Sequence, residues 1–192
     1  MSCWVKCLPR PLMKYCPQCG EETQRSIPEG DNRQRDVCAS CDSIHYQNPR
    51  IIAGCIPVWQ DKVLLCKRAI SPRKGYWTLP AGFMELEETV EQAAIRETLE
   101  EAGAVVEAEE LYALFNIPQI GQVYMIYRTA MLKPEFASGI ESLDTRLFSE
   151  AEIPWDEMAF PAMRLSLEYF FKDRADGSFS FRSTDLVRPA LS

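Results

Sequence analysis

Two cysteine pairs, Cys16-x2-Cys19 and Cys38-x2-Cys41, stand 18 residues apart within YCPQCGEETQRSIPEGDNRQRDVCASCDSIHY. The stretch is polar and turn-rich, and a segment this small cannot enclose an apolar core of its own. Something else must hold it together, and the spacing indicates what. Each pair presents two thiolates from one tight knuckle, and two knuckles complete the tetrahedral shell that Zn2+ accepts at about 2.3 Å. With four protein ligands no coordination position stays open, so such a metal is structural and its binding energy replaces the missing core. Free thiols or two redox pairs are the alternatives. His45 is a substitute ligand that the shell does not need. Cys3 and Cys7 have no pair spacing, while Cys55 and Cys66 read as small buried side chains.

From Pro49 the texture changes. The chain has 192 residues, 46% of them hydrophobic, enough for one sizeable domain beside a small appendage. IIAGCIPVW and KVLLCKR read as strands around a turn at Gln60 and Asp61. SPRKGYWTLPAG reads as a loop entering a helix from Glu87 to Ala102, which Gly103 stops. VVEAEELYALFNI and QVYMIYRTAML are further strands about a turn at Pro118 and Gly121, and TRLFS is a short one. AFPAMRLSLEYFFKD reads as an amphipathic helix. Strands on both sides of a central helix, followed by a second helix, predict an α/β layered domain. The expected division is an extension over 1–14, the cysteine unit over 15–47, the main domain over 48–174 and a tail or edge extension over 175–192.

The net charge of -7, from 28 acidic and 21 basic residues, disfavours extended binding to nucleic acid. The basic residues of the cysteine unit, Arg25, Arg33 and Arg35, are diluted by acidic neighbours. Small phosphate esters stay open as substrates, because a metal ion can lie between an acidic pocket and an anion. No apolar run reaches about 18 residues, so no membrane span is expected. The amino end, MSCWVKCLPRPLMKY, lacks the apolar region of a secretory signal. Together with the close cysteine pairs this predicts a reducing, cytoplasmic setting.

In GFMELEETVEQAAIRETLEEAG, Glu97, Glu100 and Glu101 fall within an arc of roughly 100° on a helix. Ile95, Leu99 and Ala102 are assigned to the opposite side, toward the sheet, and Ala93 leaves the carboxylate side uncrowded. Arg96 pairs with Glu100 at i,i+4. Like charges crowded near a helix C-terminus repel one another and oppose the dipole. From the helix alone two readings stand. One is a solvated acidic face, the commoner use of an acidic run. The other is an oxygen-rich site for Mg2+ or Mn2+, with a carbonyl of the LPAG turn nearby.

The combined pattern favours the second. Gly82, five residues, Glu88, seven residues and RETLEEAGA at 96–104 resemble the Nudix hydrolase signature G-x5-E-x7-R-E-U-x-E-E-x-G-U, where U is bulky and apolar. Thr98 and Ala104 depart from it at the two U positions. The ribbon followed by IHYQNPRIIAGCIPVW and GYWTLPAG is similar to zinc-ribbon Nudix proteins. The stretch from about Tyr15 to Lys172 looks more like their ADP-ribose/FAD group than their NADH group. The latter carries S-Q-P-W-P-F-P-x-S where this chain has EELYALFNIPQIGQVYMIYRTA.

The resemblance implies a Nudix α/β/α sandwich with a mixed sheet, preceded by a small zinc-ribbon domain. It implies a metal-dependent pyrophosphatase acting on a small nucleoside-diphosphate derivative, FAD or ADP-ribose first, with release of AMP. NADH hydrolysis or NAD-cap removal from RNA comes second. An inactive binding module is the reading of another class, and the intact charged positions weigh against it. Carried over, Glu100, Glu101 and the Ala81 carbonyl would ligate Mg2+ or Mn2+, and Glu97 would ligate it or orient the attacking water. Arg96 would fix the neighbouring carboxylates, Glu88 would tie down the loop, Gly82 would permit its tight turn, and Gly103 would close the motif. Glu141, in FASGIESLD, is the candidate general base and a further ligand, with Glu135 and Glu150 behind it; a solvated loop residue is the alternative for all three. Phe115, Tyr124 and Phe160 are candidates for an adenine clamp, with core packing as the alternative, and Trp77 for bracing the loop. A homodimer completes the expectation.

Overall fold

The computed structural model describes residues 13–187; Cys3 and Cys7 lie outside them. The chain divides into two compact units between Asn48 and Pro49. The first contains strands β1 (Thr23–Ser26), β2 (Arg35–Cys38) and β3 (Ile44–His45), paired antiparallel in that order. Its two knuckles are alike. Gly20 and Asp42, each one residue past the second cysteine of a pair, are left-handed at φ 81° and 56°. In the first, Gly20 N–H donates to the Cys16 carbonyl at 2.8 Å; in the second, Cys38 N–H donates to the Ser43 carbonyl at 2.9 Å.

The thiols of Cys16, Cys19, Cys38 and Cys41 all lie within 4.8 Å of one another. Sulfur–sulfur separations are 3.7 Å for Cys16 and Cys41 and 3.4 Å for Cys19 and Cys38. Both are far above the roughly 2.05 Å of a disulfide and near the roughly 3.8 Å edge of a tetrahedron with 2.3 Å arms. The residues therefore fit a four-coordinate metal, and His45 is not among them. A hydrogen bond with the Ser43 hydroxyl brings the Cys41 thiol down to about 6, toward the thiolate that a metal requires. Among the described residues of this unit, Thr23 and Asp36 are the ones buried besides Cys16 and Cys38, and neither is apolar.

The second unit runs β4 (Arg50–Trp59), β5 (Lys62–Arg68), β6 (Trp77–Thr78), β7 (Ala81–Phe83), α1 (Val90–Ala102), β8 (Val106–Ile117), β9 (Gln122–Met131), β10 (Ser142–Phe148), α2 (Pro161–Asp176) and β11 (Arg182–Asp185). The sheet order is β10-β5-β4-β9-β8-β11, with β6 on β5 and β7 on β4. β4 with β9 and β8 with β11 are parallel, while the other pairs are antiparallel. Alternation along the central strands supplies both faces. Ile52, Ile56, Val63 and Leu65 pack with Met163, Leu167 and Phe170 of α2, whereas Ala53, Cys55, Leu64 and Cys66 pack with Ala93, Ala94 and Ala102 of α1. Two covered faces explain the continuous apolar runs of β4 and β5. The result is an α/β/α sandwich around a mixed sheet.

Three details refine the sequence reading. Helix α1 starts at Val90 rather than Glu87, which adopts φ 67°. The Thr89 side chain accepts from Gln92 N–H and the Gln92 side chain returns to Thr89 N–H, a capping box that fixes the start. The expected loop over 71–82 carries β6 and the start of β7, short strands too brief to show a period. The C-terminal stretch, expected as a tail or an edge extension, includes the edge strand β11, which pairs with Ala113–Asn116 of β8. Arg182 anchors it through a two-pronged ion pair to the buried Asp173, which also accepts from the Tyr112 hydroxyl. That guanidinium holds the Asp173 carboxyl down at about 2. One such contact leaves no periodic trace in sequence. Among the described residues no helix is long and apolar enough to cross a membrane.

Purified protein should contain about one zinc per chain, and chelation should expose the 15–46 segment to proteolysis while the second unit stays resistant. A protease-resistant first unit with four reduced thiols and no metal would contradict this account.

Candidate active site

Helix α1 comes close to the sheet because small side chains line its inner face. Ala93, Ala94, Thr98 and Ala102 are buried, and so is Glu101. The sequence reading placed Ile95, Leu99 and Ala102 inward and left Ala93 on the carboxylate side. Leu99 is instead 52% exposed, and Ala93 is fully buried. A bulky residue at the contact would push the helix away. Thr98, small where the signature has bulk, satisfies its hydroxyl on the Ala94 carbonyl at 2.8 Å.

The close approach brings two carboxylates against β7. An ideal Cβ at Gly82 would lie 2.2 Å from the Glu97 carboxyl carbon and 2.3 Å from both its oxygens. No larger residue fits there without moving Glu97. One residue earlier, Ala81 N–H donates to Glu101 Oε2 at 3.0 Å. Burial pushes the Glu101 carboxyl up to about 7, with the charges of Glu97 and Glu141 adding to the effect against the Ala81 hydrogen bond. Burial likewise raises Glu97, opposed by Arg96. Glu100, by contrast, is exposed.

Arg96 ties these parts together. It reaches Glu88 from Nε at 3.0 Å and from Nη2 at 2.8 Å, and the Phe83 carbonyl at 3.1 Å. Its Nη1 donates to Glu97 at 2.8 Å and to Glu100 at 3.1 Å, the latter being the expected i,i+4 pair. Glu88 also accepts from Glu85 N–H at 2.6 Å, so the loop before α1 is fastened at both ends. The Arg96 guanidinium holds the Glu88 carboxyl down at about 2. Gly103 is left-handed at φ 59° and ends the helix as expected.

Glu97, Glu100, Glu101 and the β7 backbone offer oxygen donors alone, a set that suits Mg2+ or Mn2+ rather than a soft cation. The buried Glu101 and half-buried Glu97, both raised, fit the same ions, since a divalent cation would offset their mutual repulsion. Their oxygens do not converge on one point: Arg96 draws Glu97 and Glu100 while Glu101 faces Ala81. Among the described residues only the four cysteines place ligand atoms within 4.8 Å of one another.

Glu141 is exposed on the segment after β9, and its charge helps to raise both Glu97 and Glu101. Glu135 is exposed earlier in that segment, and Glu150 in a short 3-10 turn after β10. Phe115 is fully buried and stacks on Tyr169 at 6.3 Å, and Tyr124 is buried in the same cluster, so both pack the core. Trp77 is buried edge-on against Phe148, bracing the loop from inside. Arg68, given no role from sequence, ends β5 with its guanidinium 5.1 Å from the Phe160 ring centre, and its charge opposes the rise of Glu101. The Lys67–Arg68 pair closing an apolar strand was the available signal.

Residues 14–47 match the zinc-ribbon family described as Nudix N-terminal, and residues 48–173 match the NUDIX domain family. The crystal structure of a NUDIX hydrolase from Nitrosomonas europaea is 53% identical, covers 92% of this chain and 100% of its own, and superposes with a TM-score of 0.90. An ADP-ribose pyrophosphatase of Methanocaldococcus jannaschii is 27% identical over 128 residues, 65% of this chain and 75% of the relative. The NAD-capped RNA hydrolase NudC of Vibrio vulnificus is 31% identical over 149 residues, 74% of this chain and 53% of the relative. The chain thus spans about half the length of that NudC protein. It belongs to the Nudix hydrolases, as a zinc-ribbon member acting on the phosphoanhydride bond of a nucleoside-diphosphate derivative.

Proposed function

We propose that the chain hydrolyses the pyrophosphate of an ADP-linked dinucleotide of the NAD type, releasing AMP and the other half as a phosphate ester. The chemistry rests on the double contact of Glu97 over Gly82 and Glu101 on Ala81 N–H, which sets a half-buried and a buried carboxylate beside the exposed Glu100. The sequence reading ranked FAD and ADP-ribose ahead of NADH. The NudC relative favours the reverse order, with 31% identity over 149 residues, a span longer than the NUDIX domain itself. ADP-ribose is the second reading, supported by the Methanocaldococcus jannaschii relative. Free dinucleotide is preferred over capped RNA because a net charge of -7 weakens attraction to a polyanion.

In this reading Glu100, Glu101 and the Ala81 carbonyl hold Mg2+ or Mn2+, with Glu97 as a further ligand or as the group that orients water. The bound ion supplies charge neutralisation on the pyrophosphate and on the departing phosphate. Arg96 fixes the directions of Glu97 and Glu100 through the contacts described above. Glu141 takes the proton of the attacking water, directly or through one other water, and is a further candidate ligand. A P–O bond forms to that water as the bridging P–O bond breaks. A homodimer belongs to this reading on the resemblance alone.

Glu100→Gln and Glu101→Gln should each lower kcat about 100-fold or more, roughly 2.7 kcal/mol of transition-state stabilisation, with the thermal midpoint held or raised as repulsion is relieved. Wild-type turnover at low and at saturating Mg2+ would remove the residue from the metal site. With NADH, ADP-ribose and FAD compared at one Mg2+ concentration, kcat/KM for NADH should exceed that for FAD by about tenfold or more. A preference for FAD would show that the segment replacing the NADH-group motif decides the substrate, and would leave the pyrophosphatase chemistry standing.

A further inference from the structure

After β9 the chain folds back across the C-terminal end of α1. Ala137 N–H donates to the Ala102 carbonyl at 2.8 Å, and Gly139 N–H to the Glu101 carbonyl at 3.0 Å. These bonds satisfy carbonyls that a helix end leaves without partners. Two residues later the Glu141 carbonyl accepts from Ala69 N–H at 2.7 Å, next to the end of β5. The segment is therefore pinned to α1 at Gly139 and beside β5 at Glu141. Between the pins Ile140 is 98% exposed and packs against nothing.

The first pin requires glycine for space. An ideal Cβ at Gly139 would lie 1.8 Å from the Glu100 carbonyl oxygen, 2.9 Å from its carbon and 3.2 Å from the Glu101 Cα. All three are backbone atoms of the helix turn that carries the metal-site carboxylates, and backbone cannot swing aside as a side-chain tip can. Gly139 is absent from the positive-φ residues, so the demand is steric rather than conformational. Any other residue would lift the segment by about 1 Å, a displacement large enough to cost roughly 100-fold when it falls on a reacting group.

We propose that Gly139 is a positioning residue for turnover: its contact with the Glu100–Glu101 backbone sets the spacing between Glu141 and the carboxylates of α1. The inference rests on the role given above to Glu141. Its test is a double-mutant cycle of Gly139→Ala and Glu141→Gln, with kcat and KM for NADH and ADP-ribose at saturating Mg2+. Gly139→Ala should lower kcat about 10- to 100-fold with KM changed less than about threefold, and the double variant should be no slower than Glu141→Gln within about twofold. Effects that multiply, or wild-type kcat in Gly139→Ala, would overturn the proposal. If Gly139→Ala does not fold, Ile140→Gly loosens the same span without removing packing. It should lower kcat at constant KM, again with no further loss on the Glu141→Gln background; a wild-type kcat there would count against the spacing. Full activity in Glu141→Gln itself would end the assignment of Glu141 as base, whereas an impaired Glu141→Gln with a multiplicative cycle ends only the inference about Gly139.

Discussion

The Glu97 carboxylate fills the space that a side chain at position 82 would need, and four residues later Glu101 accepts a hydrogen bond from Ala81 N–H. Both contacts demand that α1 lie almost against β7, and the rest of the domain serves that approach. Alanines at 93, 94 and 102 and the back-bonded Thr98 thin the helix where it meets the sheet. The capping box at Thr89 and the left-handed Gly103 fix its two ends. Burying Glu101 and half-burying Glu97 is unfavourable without compensation, and Arg96 and the Ala81 amide compensate only part of it. Such a pair is the mark of a candidate functional site.

Much of this could be read from the chain. The strand runs, both helices, the four thiols and the Arg96–Glu100 pair all followed from spacing and periodicity. The inward face of α1 followed only in part: Ala102 is buried and Ile95 packs on the core as expected, but hydrophobicity ranks Leu99 above Ala93 while close packing selects for small size. The buried position of Glu101 was hidden for the same reason. The helix start was missed because a Thr-x-x-Gln box is a polar signal inside a polar run. β11 was legible only as a tail or edge extension, because four residues paired with Ala113–Asn116 of β8 and tied by the Arg182–Asp173 ion pair are too few to show a period.

The two units use opposite means to hold charged or polar ligand groups together. In the first, thiols gather where hardly any other residue is buried, so the metal supplies the fold. In the second, a large core on both sheet faces holds the carboxylates in place, so the fold sets their spacing. The second unit should therefore stay folded with or without a divalent cation, whereas the cysteine unit should not survive loss of its metal.

The most direct test is Mn2+ binding followed by electron paramagnetic resonance on zinc-loaded protein, comparing the wild type with Glu97→Gln and Glu101→Gln. Each variant should bind Mn2+ at least about tenfold more weakly, roughly 1.4 kcal/mol, with zinc content and secondary structure unchanged. Unaltered Mn2+ affinity in both variants would contradict the claim that these two carboxylates are held against β7 to take a cation.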